Sequence, residues 1–381
     1  MITRVLETTI HRYLFRGRVV IIYGARRVGK TTLVKQILAR YQEDKRIRYI
    51  NCDDLVNQRA LAVREAAALK AFLGEQDLVV LDEAQNVPEI GKVLKLLVDT
   101  YPEMQIIATG SSSFDLANRA AEPMTGRVYP LELYPLSLQE IAGDQGYAAI
   151  EQRLEHLLRF GLYPDIFDEP NEEARAKLDE LVSNYLYKDI LAYAGVKKAG
   201  VIANLLRLLA LQVGNQVSYS ELAQSLGIDG KTVASYIDIL EQCFVIFRLT
   251  SFSRNLRNEL KKSQKIYFYD LGVRNALVQA FNPLPLRLDA GALWENFCIA
   301  ERLKFNKNNR KYANMYFWRT RTQQEIDYVE EVDGQLIGYE FKWGATKPLR
   351  PPQTFLEAYP GSAVERVDRS NYWQFLLPQS A

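Results

Sequence analysis

The chain of 381 residues is longer than one compact hydrophobic core usually supports, so two or three domains are expected. Its 48 Lys and Arg nearly balance its 46 Asp and Glu, and this charge neither requires nor excludes a nucleic-acid partner. Three scattered cysteines argue against a disulfide framework, and two histidines are too few for a histidine metal site or a Ser-His-Asp triad. The lack of a signal peptide or a long apolar run predicts a cytoplasmic protein without membrane contact. We expect the cysteines to be buried and reduced.

Strand-like and helix-like segments alternate in the first part of the chain, which is typical of a three-layer α/β domain. Apolar runs predict parallel strands at residues 19–23, 48–52, 77–81 and 105–108, and helical spacing predicts helices at 31–41, 60–72 and 89–100. We expect this domain to cover residues 1–144.

The rest of the chain is predicted to form three further parts: a helical lid or linker at 145–198, a winged helix-turn-helix at 199–268, and a mixed α/β domain at 269–381. Ser218, with Glu221 three residues later, predicts a helix that begins with a capping box and ends at Gly227. Asp333-Gly334 predicts a hairpin turn between strands at 325–331 and 335–343.

A phosphate-binding loop is the clearest motif. Gly24, Ala25, Arg26, Arg27, Val28, Gly29, Lys30 and Thr31 match G-x-x-x-x-G-K-[ST] in full, between an apolar strand and a helix. Backbone N–H groups of this loop and of Thr32 are predicted to converge on the phosphates of ATP. Lys30 is predicted to reach the β- and γ-phosphates, and Thr31 to offer its hydroxyl to Mg²⁺.

An acidic pair supplies the second half of this site. Asp82 and Glu83 follow the apolar run LVVL, so Asp82 is predicted to hold the Mg²⁺ shell and Glu83 to polarise the attacking water. A plain strand-end cap is the alternative. Thr109 and Ser111 end another apolar strand, where they contact the γ-phosphate, align the water or only cap a turn.

Motifs along nearly the whole chain form a series. They are GARRVGKTTL, VVLDEAQNVPEIGKVLKLLVD, ATGSSSF, GRVYPLELYPLSLQEI, YFYDLGVRNAL, GALWENF and YEFKWG. This series resembles bacterial and archaeal AAA+-related ATPases with a C-terminal DUF4143 domain. The resemblance implies an α/β fold class: an AAA+-like three-layer P-loop NTPase core, then a helical and winged-helix domain, then a C-terminal α/β nuclease-like domain. It also implies that Arg127 lies at a subunit boundary of a homo-oligomer and stabilises γ-phosphate charge in a neighbour's site, the alternative being a solvated loop arginine.

A second set of charged residues lies near the carboxyl terminus. The predicted hairpin brings Asp327 towards Glu340 and Lys342, and Glu295 lies on the preceding helix. Asp327, Glu340 and Glu295 are predicted to hold a metal ion, and Lys342 to orient or deprotonate a water for phosphodiester hydrolysis. The set resembles the D…ExK pattern of restriction-endonuclease-like nucleases. A solvated strand face with charge pairs is the alternative.

Two basic runs, at 254–265 and in FWRTRT at 317–322, favour phosphate contacts. We therefore expect an ATPase whose nucleotide state drives an activity on DNA, including branched or single-stranded DNA. The alternative is a regulatory switch ATPase that acts on protein partners, in which the winged helix and the basic loops make protein contacts.

Overall fold

The computed structural model describes residues 2–111, 124–186, 190, 199–253, 263–320, 322–344 and 350–377. The chain divides into two compact units, Met1–Pro135 with Gln242–Phe244, and Leu136–Glu241 with Val245–Ala381. Within the described ranges, no helix combines the length and the apolar character needed to cross a bilayer. The three cysteines are buried and form no disulfide, as expected.

A parallel sheet of five strands forms the centre of the first unit. The strands are β1 (Val19–Tyr23), β2 (Ile47–Asn51), β3 (Leu78–Asp82), β4 (Gln105–Gly110) and β5 (Val128–Glu132). Their order is β2-β3-β4-β1-β5, and every neighbouring pair is parallel. Residues of β1 and β3 are buried throughout, which matches continuous Val, Ile and Leu runs covered on both faces. The sequence did not predict β5, which contains Pro130 and is half-exposed at the sheet edge.

In the described part of the first unit, five helices flank this sheet. They are α1 (Leu6–Tyr13), α2 (Lys30–Tyr41), α3 (Leu55–Leu61), α4 (Ala66–Leu73) and α5 (Ile90–Thr100), with a 3₁₀ turn at Ala84–Asn86. The prediction of one helix over 60–72 is wrong, because the helical conformation is interrupted between α3 and α4, where Glu65 is extended. Leu61, Leu69 and Leu73 all enter one core cluster at helical spacing, so the apolar pattern alone did not reveal the break.

Helices make up much of the second unit. They are α6 (Leu138–Gln145), α7 (Tyr147–Phe160), α8 (Asn171–Glu180), α9 (Ala199–Leu211), α10 (Tyr219–Leu226), α11 (Gly230–Gln242), α12 (Leu271–Leu277), α13 (Ala290–Asn308), α14 (Gln353–Ala358) and α15 (Tyr372–Leu376), with a π-helical segment at Leu181–Leu186 and a 3₁₀ turn at Leu284–Leu286. Residues 187–189 and 191–198 of the predicted helical stretch lie outside the described residues.

A seven-stranded sheet joins the later parts of the second unit. Its strands are β6 (Gln216–Val217), β7 (Ile246–Ser251), β8 (Gln264–Phe268), β9 (Asn314–Arg319), β10 (Glu325–Val332), β11 (Gln335–Phe341) and β12 (Ala363–Val367). The order is β12-β11-β10-β9-β7-β8-β6, and β7 pairs in parallel with β9. The strands that follow α11 therefore continue into the carboxyl-terminal strands, and the division of the chain into four domains stays a prediction.

Two local predictions are confirmed. β10 and β11 form a hairpin in which Val332 pairs with Gln335, and Asp333 and Gly334 take φ values of 51° and 80°. The hydroxyl of Ser218 accepts a hydrogen bond from the N–H of Glu221 at 3.4 Å, which is the N-cap half of the predicted capping box. The helix it caps, α10, ends at Gly227 with a left-handed φ of 64°.

Asp270 is a buried carboxylate that ties the end of α7 to the start of α12. Its oxygens accept hydrogen bonds from the N–H groups of Leu162 at 2.7 Å and Val273 at 3.1 Å. Burial raises the pKa of Asp270. Gly161 has a φ of 78°, and a Cβ there would lie 2.1 Å from an oxygen of Asp270. Only glycine therefore fits beside this carboxylate.

We expect Gly161→Ala to destabilise the second unit by roughly 3–5 kcal/mol, because it adds a steric clash with Asp270 to the cost of an alanine with positive φ and extended ψ. Gly146→Ala is the matched control, since Gly146 has a φ of 81° but open space around its Cβ position. It is expected to cost about 1–3 kcal/mol. Calorimetric melting of both variants measures the difference, and equal losses would contradict the role of the Asp270 contact.

Candidate functional site

The P-loop runs from the end of β1 to the start of α2. Gly29 takes a left-handed φ of 95° directly before the helix, which favours glycine there. A Cβ at Gly24 would lie 2.1 Å from the carbonyl oxygen of Leu133, so the loop begins in direct contact with the backbone that follows β5. The motif thus requires glycine at its two positions for different reasons. Gly29 is needed for its backbone conformation, and Gly24 because a side chain would clash with Leu133.

Lys30 lies inside the loop. Its side chain is buried, and Nζ donates hydrogen bonds to the carbonyls of Gly24 at 2.8 Å and Ala25 at 2.9 Å. The ammonium is therefore held where the loop backbone curves around it. Thr31 follows in the first turn of α2, where the helix N-terminus favours negative charge.

The carboxylate of Asp82 joins several elements at the carboxyl end of β3. One oxygen accepts hydrogen bonds from Thr31 Oγ1 at 2.7 Å and from the hydroxyl of Tyr49 at 2.6 Å. The other accepts from the hydroxyl of Thr109. Burial and this bond to Asp82 raise the pKa of Tyr49, so its hydroxyl stays a donor. The loop threonine and the acidic strand, which the sequence predicted to share Mg²⁺, are in direct contact.

Glu83 turns the chain away from β3. It takes a left-handed φ of 54°, and its N–H donates to Thr109 Oγ1 at 3.1 Å. Its carboxylate is half-buried and accepts a hydrogen bond from Gln85. Ser111 is buried directly after β4. Asp82, Glu83 and Thr109 therefore meet at the carboxyl ends of the parallel strands, where the P-loop also lies.

Arg127 lies on the opposite side, at the amino ends of the strands of the same sheet. It directly precedes β5, and its carbonyl accepts a hydrogen bond from the N–H of Val19 at the start of β1. Its Nε donates to Asp99 at 2.6 Å in a half-exposed ion pair. Because the P-loop follows the other end of β1, Arg127 cannot serve its own loop. Its action on a neighbouring subunit stays a prediction.

A buried lysine is the centre of the charged cluster in the second unit. Lys265, on β8, is 2% exposed, and its Nζ lies 2.6 Å from Glu325 and 3.1 Å from Glu295. The hydroxyl of Tyr267 donates to the same Glu295 oxygen at 2.6 Å. Burial, together with the charge of Asp327, raises the pKa of Glu295 to about 7. The carboxylate of Glu295 is therefore enclosed by donors from its own unit.

The hairpin carries the remaining members of the cluster. Asp327 accepts a hydrogen bond from the N–H of Phe341 at 2.9 Å, and Lys342 Nζ lies 3.8 Å from Asp327 and 3.3 Å from Glu340. Lys342 is half-exposed. The predicted proximity of Asp327, Glu340 and Lys342 is present as an ion-pair group.

The carboxylates of this cluster are engaged in ion pairs. Across the described ranges, no group of three or more His, Cys, Asp or Glu side chains is arranged to hold a metal ion. Glu295 and Glu325 instead share the ammonium of Lys265, and Asp327 and Glu340 share that of Lys342. The assignment of Glu295, Asp327 and Glu340 as metal ligands stays a prediction without support from this geometry.

The two basic runs are described only in part, and their predicted phosphate contacts stay a prediction. Residues 254–262 and Arg321 lie outside the described residues, and Lys265 is buried rather than exposed. Phe317 and Trp318 are also buried. Arg319 lies 3.4 Å from Glu325.

The sequence did not predict the structural roles of Tyr49 and Lys265. For Lys265, the one available signal was its position directly before the apolar segment IYFY.

We expect Lys265→Met to lower the free energy of unfolding of the second unit by roughly 3–5 kcal/mol, because it leaves Glu295 and Glu325 without their shared cation. Lys342→Met is the matched control, since its half-exposed ammonium is worth at most about 1 kcal/mol. Adding Glu295→Gln to Lys265→Met should recover part of the loss. Thermal unfolding of the three variants tests this, and similar losses for the two lysines would refute it.

Comparison with known proteins gives matches along most of the chain. Family models match an AAA domain at residues 16–142, a domain of unknown function (DUF8612) at 151–284 and a domain of unknown function (DUF4143) at 290–372. An uncharacterized protein of Mycobacterium bovis is 31% identical over 345 residues, 89% of this chain and 74% of that protein. One from Methanocaldococcus jannaschii is 28% identical over 314 residues, 72% of this chain and 65% of that protein.

Among solved structures, AMPPCP-bound DnaA from Aquifex aeolicus aligns with 62% of this chain and 86% of that chain, at 18% identity and a TM-score of 0.26. The observations that identify the chain are its P-loop between β1 and α2, the AAA-domain match around that loop, the DUF4143 match near the carboxyl terminus, and the mycobacterial relative. The chain belongs to the family of bacterial and archaeal AAA+-like P-loop ATPases that carry a C-terminal DUF4143 domain.

Proposed function

We propose that this chain hydrolyses Mg·ATP and that its nucleotide state drives an activity on nucleic acid. The observation that carries the first half is the 2.7 Å hydrogen bond between Thr31 and Asp82. It joins the first turn of the P-loop helix to the end of the acidic strand. Two oxygen ligands for Mg²⁺ therefore lie side by side, next to the loop that would receive the phosphates.

The residues present fit this cofactor. Lys30 would contact the β- and γ-phosphates, and Thr31 and Asp82 would hold the metal shell. Bound Mg²⁺ would supply charge neutralisation at the phosphates. Glu83, at the same edge of the sheet, would accept a proton from the attacking water, and Thr109, bonded to both Asp82 and the N–H of Glu83, would fix their relative position.

Arg127 belongs to the proposal as a residue that acts between subunits. Two observations support insertion of Arg127 into a neighbouring copy. It lies at the amino ends of the strands, away from its own loop, and its side chain is half-exposed. In a homo-oligomer such an arginine would raise turnover by about 10³ to 10⁵.

The second half of the proposal is a winged helix built from α9 to β8. Its support is the order of elements: α9, β6, α10, α11, β7 and β8, with β8 between β6 and β7 in the sheet. In this arrangement α11 would enter the major groove of duplex DNA, with Lys231 exposed near its start. Strand cleavage is not part of the proposal, because its support would be a metal-binding arrangement, and Glu295 and Glu325 pair with Lys265 whereas Asp327 and Glu340 pair with Lys342.

ATP turnover tests the first half. We expect Lys30→Ala to weaken nucleotide binding by about tenfold or more, and Glu83→Gln to keep binding but lose turnover by roughly 10²- to 10⁴-fold. The matched controls are Lys35→Ala, exposed on the same helix, and Glu75→Gln, exposed in the same unit. Turnover that survives Glu83→Gln would sink the assigned role of Glu83, and an inert wild type would sink the ATPase proposal.

DNA binding tests the second half. The affinity of the wild type for duplex DNA should fall as salt rises, and Lys231→Glu should weaken binding and lower the salt slope by about 1 to 2. Lys311→Glu, the same charge change at another exposed lysine of this unit, should leave binding unchanged. Turnover that is indifferent to DNA, together with salt-independent binding, would instead favour a switch that acts on protein partners.

A further inference from the structure

Arg4 is a buried cation close to the P-loop. It is 6% exposed, and its two terminal nitrogens donate to different carbonyls: Nη1 to Val28 at 2.7 Å and Nη2 to Tyr134 at 2.6 Å. Val28 belongs to the P-loop, whereas Tyr134 follows β5. The planar fork of one guanidinium thus joins two backbone segments that are far apart in the sequence.

The bond to Val28 constrains the loop. In a trans peptide the carbonyl and the next N–H point in opposite directions. The hydrogen bond that fixes the Val28 carbonyl therefore also fixes the direction of the Gly29 N–H, one of the groups that a P-loop presents to phosphates. Arg4 can influence the phosphate site in this way without touching a phosphate.

The segment Leu133–Leu138, here named the linking segment, begins against the same loop. The N–H of Leu133 donates to the carbonyl of Tyr23 at 2.7 Å, and the Leu133 carbonyl occupies the space where Gly24 would carry a Cβ. Tyr134 is held by Arg4. A shift of the loop backbone at Gly24 or Val28 would therefore meet the linking segment directly, since a close-packed contact leaves no slack.

The other end of the linking segment belongs to the second unit and is held by α13. Lys304 Nζ donates to the carbonyl of Leu136 at 3.0 Å, and Glu301 accepts from the N–H of Leu138 at 2.8 Å. Glu301 and Lys304 also pair with each other at 2.7 Å and are both buried. A buried ion pair is costly to desolvate, and this one also satisfies two backbone groups of the linking segment.

We propose that Arg4 is a positioning residue for nucleotide turnover that also transmits the state of the P-loop, through the linking segment, to the Glu301–Lys304 pair on α13. The inference rests on the proposed ATPase function. Two sets of contacts support it: Arg4 and Leu133 bind the segment to the loop, and Glu301 and Lys304 bind the same segment to a helix of the second unit.

The first test separates turnover from binding in the full chain. We expect Arg4→Met to lower kcat by at least about tenfold while the Kd for a fluorescent ATP analogue rises less than about threefold, because Lys30 and the other loop N–H groups remain. Arg4→Lys should recover part of kcat. Arg12→Met, an exposed arginine on α1, is the control. A kcat for Arg4→Met within twofold of the control overturns the positioning role.

The second test follows the transmission. In the wild type, a non-hydrolysable ATP analogue should slow hydrogen exchange at the amides of residues 136–141 by about threefold or more. In Arg4→Met at saturating analogue this protection should disappear. Glu301→Gln, which leaves the first unit unchanged, should bind the analogue normally and also lose the protection, and it carries the test alone if Arg4→Met does not fold. Protection that persists in the variants overturns the transmission.

These outcomes are distinct from failure of the proposed function. A wild type that neither binds nor hydrolyses ATP contradicts the ATPase proposal itself. A wild type that hydrolyses ATP normally, with Arg4→Met equal to Arg12→Met in kcat and in exchange, overturns the inference about Arg4 alone.

Discussion

The carboxylate of Asp82 is the junction on which the nucleotide site depends. Hydroxyls from α2, β2 and β4 all donate to it, through Thr31, Tyr49 and Thr109. An ionised carboxylate accepts several hydrogen bonds and donates none, so it can bind this many donors at once. The parallel sheet makes the meeting possible, because the carboxyl ends of β1, β3 and β4 lie at one edge. Removing the carboxylate would leave these hydroxyls without their common acceptor.

Charge pairs do comparable structural work in the second unit. Lys265 lies between Glu295 and Glu325, and Glu301 pairs with Lys304 beside the linking segment. Desolvation makes such pairs expensive, so they stabilise a fold only where geometry and further hydrogen bonds are good. Here each pair also contacts a group from another element. The family resemblance implied a nuclease-like domain, but the carboxylates at its expected centre are arranged as ion pairs.

The linking segment runs from the backbone around the P-loop into the second unit. Its first residues are bonded to the backbone around the P-loop, and its last residues are bonded to α13 of the second unit. Coupling between sites needs an element that both sites bias, rather than proximity alone. A short segment fixed at both ends by backbone hydrogen bonds is a candidate for such an element. Arg4, which lies outside the P-loop motif, bonds both to the loop and to this segment.

Features that depend on contiguous residues were determined by the sequence: the P-loop, the acidic pair after an apolar strand, the hairpin at Asp333-Gly334 and the cap at Ser218. Each follows from local spacing and backbone preference. The break between α3 and α4, the strand β5 and the burial of Lys265 were decided only by the tertiary structure. Lys265 resembled a surface cation because a lysine's partners and burial depend on elements distant in the chain. For the same reason, the P-loop was visible in the sequence, whereas its contact with Arg4 was not.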